Sequence, residues 1–155
     1  MILGIGVDMV DVNEMHRLIA ELGEPFLVRT FTEGELAASL LVSNRDRYLS
    51  ERFAAKEALF KALLNRADTV PDFRRVETTD LPDGRSFFVL PDSLLPGGEN
   101  LRIDRLHVSV SAVSDFAFAF VVAEGQARGE EGENHAECES KNSASAPRID
   151  EGKEH

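Results

Sequence analysis

The chain of 155 residues has one cysteine, one tyrosine and no tryptophan. A single thiol excludes an intramolecular disulfide framework and a multi-cysteine zinc site. No apolar run approaches the ~20 residues that a membrane-spanning helix needs, so no membrane partner is expected. Positive charge is also scarce. Seventeen Lys and Arg stand against 28 Asp and Glu, a formal charge of −11. Broad nucleic-acid binding requires a basic surface that displaces counterions, which argues against a nucleic-acid partner. The N-terminal MILGIGVDMV has neither a basic leader nor a small-residue cleavage site, and the expected location is cytoplasmic. There is no Gly-rich P-loop and no HExxH, and Gly4-Ile5-Gly6-Val7-Asp8 lacks the third glycine of a dinucleotide fingerprint.

Composition divides the chain at about residue 124. Beyond it, Gly125 to His155 holds only Ala, Cys138 and Ile149 as apolar residues, with eight acidic and four basic side chains. Such a segment buries too little apolar area to offset its ordering entropy and is expected to be an acidic, disordered tail. Residues 1–124 carry 20 acidic and 13 basic side chains, and their number suffices for one hydrophobic core.

Within that domain, Ile2 to Val7 reads as a buried strand ending at Asp8. Val12, Met15, Ile19 and Leu22 recur at helical spacing, which predicts a helix over 11–22 closed by Gly23 and Pro25. Thr32 and Glu35 form a capping box opening a short helix to about Val42. Asp46 to Leu64 has no Gly or Pro and predicts the long central helix. Strands at 76–79 and 86–90 flank the turn Leu81-Pro82-Asp83-Gly84. After a loop at Pro96-Gly97-Gly98, a second hairpin pairs 106–110 with 116–123. In its last strand Phe116, Phe118, Phe120 and Val122 share one face, and Ala117, Ala119, Val121 and Ala123 the other. Both faces are apolar and both need cover. A second subunit or the monomer's own core would supply it.

Three groups of residues stand out chemically. Asp8 sits at a strand end, where a carboxylate either faces a cleft or caps the next helix. Glu57 and Lys61 lie four apart, on one helix face. A surface ion pair is the plain alternative, yet Lys56 and Lys61 are the only lysines in residues 1–124 and both fall in an Ala- and Phe-rich stretch. A carboxylate for Mg²⁺ with an ammonium one turn away suits a phosphate site. Ser109 and Ser111 share a strand face with His107. Their hydroxyls suit phosphate oxygens, or simply a Ser-rich turn.

Taken in this order and spacing, GIGVDMVDV at 4–12, FTEGEL at 31–36, RFAAKEALFKAL at 52–63 and HVSVSAVSDFAFAFVV at 107–122 resemble the holo-acyl-carrier-protein synthase family of 4′-phosphopantetheinyl transferases. The resemblance implies an α+β fold, a small mainly antiparallel sheet packed with three helices, in a homotrimer with sites between subunits. It implies transfer of the 4′-phosphopantetheine group of coenzyme A to a serine of an apo acyl-carrier protein, with release of adenosine 3′,5′-bisphosphate, as in fatty acid biosynthesis. It further implies Asp8 and Glu57 as Mg²⁺ ligands, and Asp8, Glu57 and Lys61 as the catalytic set. Arg52, Phe53, Lys56, Lys61 and Ser111 are implied at the coenzyme. The chain departs from the family pattern at Ala112, where His is usual, at residues 64–68, which lack a Gly-Thr-Gly-like stretch, and in the acidic Asp11, Glu14 and Glu21 of its first helix. The acidic first helix implies an altered carrier preference. Ala112 and the missing glycines favour a second function, a homologue that binds coenzyme A or a partner without efficient transfer.

Overall fold

The computed structural model describes residues 1–63, 72–91, 94–95 and 101–127. Expectations for the loop at 96–98, for 64–68 and for the acidic segment beyond 127 therefore lie outside the described residues. The chain order is β1 (Ile2–Asp11), α1 (Val12–Thr30), α2 (Glu33–Ser39), α3 (Arg45–Leu63), a 3-10 turn (Phe73–Arg75), β2 (Glu77–Asp80), β3 (Ser86–Val89), β4 (Leu101–Val113) and β5 (Phe116–Ala127). β5 is the centre of an antiparallel sheet ordered β1-β5-β4, and β2 and β3 form a separate hairpin.

Local chemistry sets most boundaries. Asp11 caps α1 by accepting hydrogen bonds from the Asn13 and Glu14 amides. The expected stop at Gly23 is a kink instead. Gly23 takes φ 62° and leaves the helical region, and the helix resumes across Pro25 to Thr30. Proline is tolerated in a first turn because that turn's amides have no intrahelical acceptor. The resumed segment is anchored by Phe26 and Leu27, which pack on Met15, Phe31 and Leu49. Thr32 and Glu35 form the full capping box of α2. That helix ends at Ser39, short of the expected Val42, where the Leu40 and Leu41 amides turn back to the Ala37 and Ala38 carbonyls. Asn44 caps α3 through its side chain to the Arg47 amide.

The second hairpin is longer than apolar content suggests. β4 and β5 pair from Val113–Phe116 out to Leu101–Ala127, including Arg102 opposite Gln126. Backbone pairing needs no apolar side chain, so the ladder runs on where the hydrophobic pattern stops.

α3 lies on the inner face of the sheet, against Ala119, Val121 and Ala123. The register places Gly4, Gly6 and Asp8 of β1 opposite Ala123, Val121 and Ala119, hence on that same face. The two glycines let the backbones touch. A Cβ on Gly6 would overlap the Ala58 carbonyl oxygen, and one on Gly4 the Ala62 carbonyl oxygen. Because the obstruction is backbone, neither can move aside cheaply. Gly6→Ala is expected to cost about 3 kcal/mol or more, by the usual penalty for overpacking, read as a lowered urea midpoint at unchanged m-value.

The outer face carries the phenylalanine row. Phe116, Phe118 and Phe120 are 39–45% exposed, and Ile5, Val7, Met9 and Val113 are more exposed still. Cross-strand pairing sets Val7 beside Phe120 and Met9 beside Phe118, which makes the patch continuous. None of the described helices is long and apolar enough to cross a membrane.

Candidate active site

The close β1–α3 approach converts a sequence separation of about fifty residues into contact. The Lys61 ammonium donates to Asp8 Oδ1 at 2.6 Å and to the Val7 carbonyl at 3.2 Å. Glu57, one turn earlier on α3, lies in the field of both. Burial pushes its carboxyl above the ordinary value, the Asp8 charge pushes it further, and Lys61 pulls it back. The Asp8 carboxylate and the Lys61 ammonium thus pair at the seam between strand and helix, within electrostatic reach of the Glu57 carboxyl. Among the described residues no three His, Cys, Asp or Glu side chains are grouped so that they could hold a metal ion.

Ser111 is elsewhere. It pairs with Phe118, which puts it on the outer face of the sheet, and it is exposed. Ser109 and His107 share that face, opposite Phe120 and Val122. His107 bonds Glu124 across the strands at 2.8 Å. Asp8 and Ser111 therefore occupy opposite faces and opposite edge strands of one sheet.

Lys56, expected at the coenzyme, has its ammonium engaged by the protein itself. Its ammonium is fully buried and donates to the Thr30 carbonyl at 3.0 Å and the Phe73 carbonyl at 2.9 Å, and it pairs with Glu35 at 2.5 Å. All three N–H donors are engaged, and none is free for a ligand. Burial lowers the Lys56 pKa, and Glu35 opposes that shift. Arg52, one turn before Lys56, is also buried. Its guanidinium forks onto Asp80 at 3.0 and 2.6 Å, reaches the Thr78 carbonyl at 3.2 Å and lies over the Tyr48 ring. The Arg52 Nε has no partner among the described residues. Phe53 stacks on Phe73 with ring centroids 5.6 Å apart.

Glu35 was legible only as a capping residue. The structure gives it far more to do. At 1% exposure it accepts from the Thr32 and Thr78 amides as well as pairing with Lys56. The only sequence signal was an acid at N3 of a short helix, which does not distinguish an exposed cap from a buried one. α3 therefore bears two ion-pair faces. Arg52 turns to the β2–β3 hairpin and Lys56 to α1, α2 and the 3-10 turn, while Lys61 turns to β1. A cleft of about 800 Å³ opens between the resumed half of α1 and the 3-10 turn, lined by Leu22, Phe26, Arg29, Phe73 and Arg74 among others.

Comparison with known proteins gives consistent results. The profile of the 4′-phosphopantetheinyl transferase superfamily matches residues 4–121. A holo-[acyl-carrier-protein] synthase of Paramagnetospirillum magneticum is 38% identical over 135 residues, covering 81% of this chain and 98% of that protein. The crystal structure of the Neisseria meningitidis holo-[acyl-carrier-protein] synthase superposes with a TM-score of 0.68 at 31% identity, over 80% of this chain and 99% of its own. The Bacillus anthracis holo-(acyl-carrier-protein) synthase, solved in complex with CoA (3′,5′-ADP), superposes at 0.62 with 26% identity, over 82% and 99%.

Proposed function

The chain belongs to the 4′-phosphopantetheinyl transferase superfamily, and from that premise we propose that it moves the 4′-phosphopantetheine group of coenzyme A to a serine of an apo acyl-carrier protein, releasing adenosine 3′,5′-bisphosphate. The convergence of Asp8, Glu57 and Lys61 carries this reading. Phosphoryl transfer asks a protein mainly for positioning and charge neutralisation, and this cluster supplies one cation and two carboxylates on rigid elements. The α+β arrangement of three helices and a small antiparallel sheet is the fold of the holo-acyl-carrier-protein synthase structures.

The donor set fits Mg²⁺. That ion is commonly held by only one or two carboxylates and completes its shell with water and substrate phosphates. Asp8 and Glu57 would hold it. When bound, it neutralises charge on the pyrophosphate oxygens. Lys61 meets the charge that grows on the leaving side. A carboxylate at Glu57 would also accept the proton of the attacking serine hydroxyl.

The opposite placement of Asp8 and Ser111 supports a composite site. A coenzyme that touches both would span two chains, because the sheet lies between them in one. The exposed Phe116–Phe120 row, with Val7 and Met9, supplies an apolar face for that contact, in a homotrimer as the family resemblance implies. On α1, Glu14, Glu21 and Glu24 are exposed against Arg17 and Arg29. That balance favours a carrier whose docking surface is less acidic than usual, because like charges facing each other slow encounter.

Incubation with coenzyme A, Mg²⁺ and apo carrier proteins of graded charge, read by mass spectrometry, tests the proposal. A 4′-phosphopantetheinyl adduct on the carrier serine is expected, forming fastest on the less acidic carriers. Coenzyme binding without any adduct would establish the binding-only function instead.

A further inference from the structure

The Lys56–Glu35 pair sits at a junction of five elements. Lys56 belongs to α3. It holds the carbonyl of Thr30 at the end of α1 and that of Phe73 in the 3-10 turn. Glu35 belongs to α2. It holds the Thr32 amide at that helix's own cap and the Thr78 amide on β2. Neither charge reaches solvent, and every N–H of the ammonium has an acceptor.

Two lines run from this junction to neighbours on α3. The Phe73 carbonyl is fixed by Lys56, and the Phe73 ring stacks on Phe53. The Thr78 amide is fixed by Glu35, while the Thr78 carbonyl accepts from Arg52, whose fork also grips Asp80. Asp80 in turn accepts from the Ser86 hydroxyl across the hairpin at 2.7 Å. Glu57, Lys61 and Asp8 share none of these partners. Their seam rests on the contact of Gly4 and Gly6 with α3.

We infer that Lys56 and Glu35 are a positioning pair, which makes no contact with coenzyme A and sets Arg52 and Phe53 in place through Thr78 and Phe73. The inference rests on the proposed transfer from coenzyme A, with Arg52 and Phe53 at the coenzyme as the family resemblance implies. It divides the roles of the two ion-pair faces of α3, so that one orders coenzyme-binding side chains and the other does the chemistry. A buried pair suits such a role, because its strict geometric demands reward one arrangement of the joined elements.

The test uses the full chain and four proteins: wild type, Glu35→Gln, Lys56→Met and the double variant. The double variant removes both charges together and so leaves no unpaired buried ion. Coenzyme A binding is measured by calorimetry, and KM and kcat by carrier modification, on protein that keeps the wild-type far-ultraviolet circular dichroism. Wild-type binding is measured first, and its absence overturns the coenzyme reading itself.

Given wild-type binding, the dissociation constant and KM for coenzyme A are expected to rise about tenfold in each single variant, within the coupling range of residues in one network. The double variant should be no worse than either single, and kcat at saturating coenzyme should stay within about twofold, because reacting groups left in place preserve the transition-state terms. A direct phosphate contact by Lys56 would give another pattern. Glu35→Gln would then free the ammonium and leave affinity unchanged or improved, while Lys56→Met lost it, and the inference would be overturned. Wild-type affinity in a folded double variant overturns it too. So does loss of the wild-type spectrum in all three variants, which would make the pair a requirement of folding.

Discussion

Glu57→Gln is expected to lower kcat/KM for carrier modification by about three orders of magnitude, the scale of losing a charged group that acts on the transition state. The amide keeps the size of the carboxyl but loses its charge, its basicity and its value as a Mg²⁺ ligand. The same substitution should not destabilise the fold at neutral pH. Burial and then the Asp8 charge hold the Glu57 carboxyl above its ordinary value of 4.5, against the pull of Lys61. A carboxyl raised in the folded state binds more protons there than in the unfolded chain. Folding stability therefore falls as pH rises from 4.5 through the folded value, and at pH 7 the ionised group costs stability. Gln removes that cost. The variant should match or exceed the wild-type urea midpoint at pH 7, and the difference should shrink as pH approaches 4. Undiminished transfer by Glu57→Gln would remove this residue from the reaction. A large loss of stability at pH 7 would mean that its charge is favourably paired, contrary to the direction set by burial and Asp8.

Phe118→Glu is expected to convert the proposed trimer to monomers. Phe118 lies mid-strand on the exposed face, beside Met9 of β1 and Ser111 of β4. Seven large apolar side chains are exposed there across three strands. A stable interface commonly buries roughly 1,200–2,000 Å² in total and keeps charge out of its centre. One carboxylate per chain, brought together with its symmetry mates and desolvated, opposes assembly strongly. Light scattering at micromolar concentration should give three times the chain mass for wild type and one for Phe118→Glu. Because Phe118 faces away from α3, its replacement should leave the monomer's own core and helical spectrum intact. Activity should vanish along with the proposed trimer, since in the proposed composite site Asp8 and Ser111 reach one coenzyme from different chains. A fully active monomeric variant would confine the site to a single chain. A wild type that scatters as a monomer would leave the apolar face without the cover proposed for it.

Much of the architecture was legible because it follows local rules. The Thr32–Glu35 capping box marks α2, the Gly- and Pro-free run marks α3, and the alternation of Phe with Ala marks the two faces of β5. These patterns need only the 3.6-residue and 2-residue periods of helix and strand. Ends were less legible. The Gly23 signal predicts a stop, yet it is a kink, because Phe26 and Leu27 offer the chain beyond it a hydrophobic anchor. The β4–β5 ladder outran its apolar residues, because its hydrogen bonds belong to the backbone.

The sequence by itself determined which side chains were chemically unusual. Two lysines in an Ala- and Phe-rich helix of an acidic chain had to be there for a reason other than solubility. Their roles were decided only in three dimensions. Lys56 and Lys61 are five residues apart, about 500° around a helix at 100° per residue, so they leave the axis in different directions. What each meets depends on which element packs on that side. Lys61 meets Asp8 because Gly4 and Gly6 admit the helix backbone to β1. Lys56 meets Glu35 because α2 and β2 close over the other side. Burial is a property of the assembled layers, and no residue's neighbours in sequence report it.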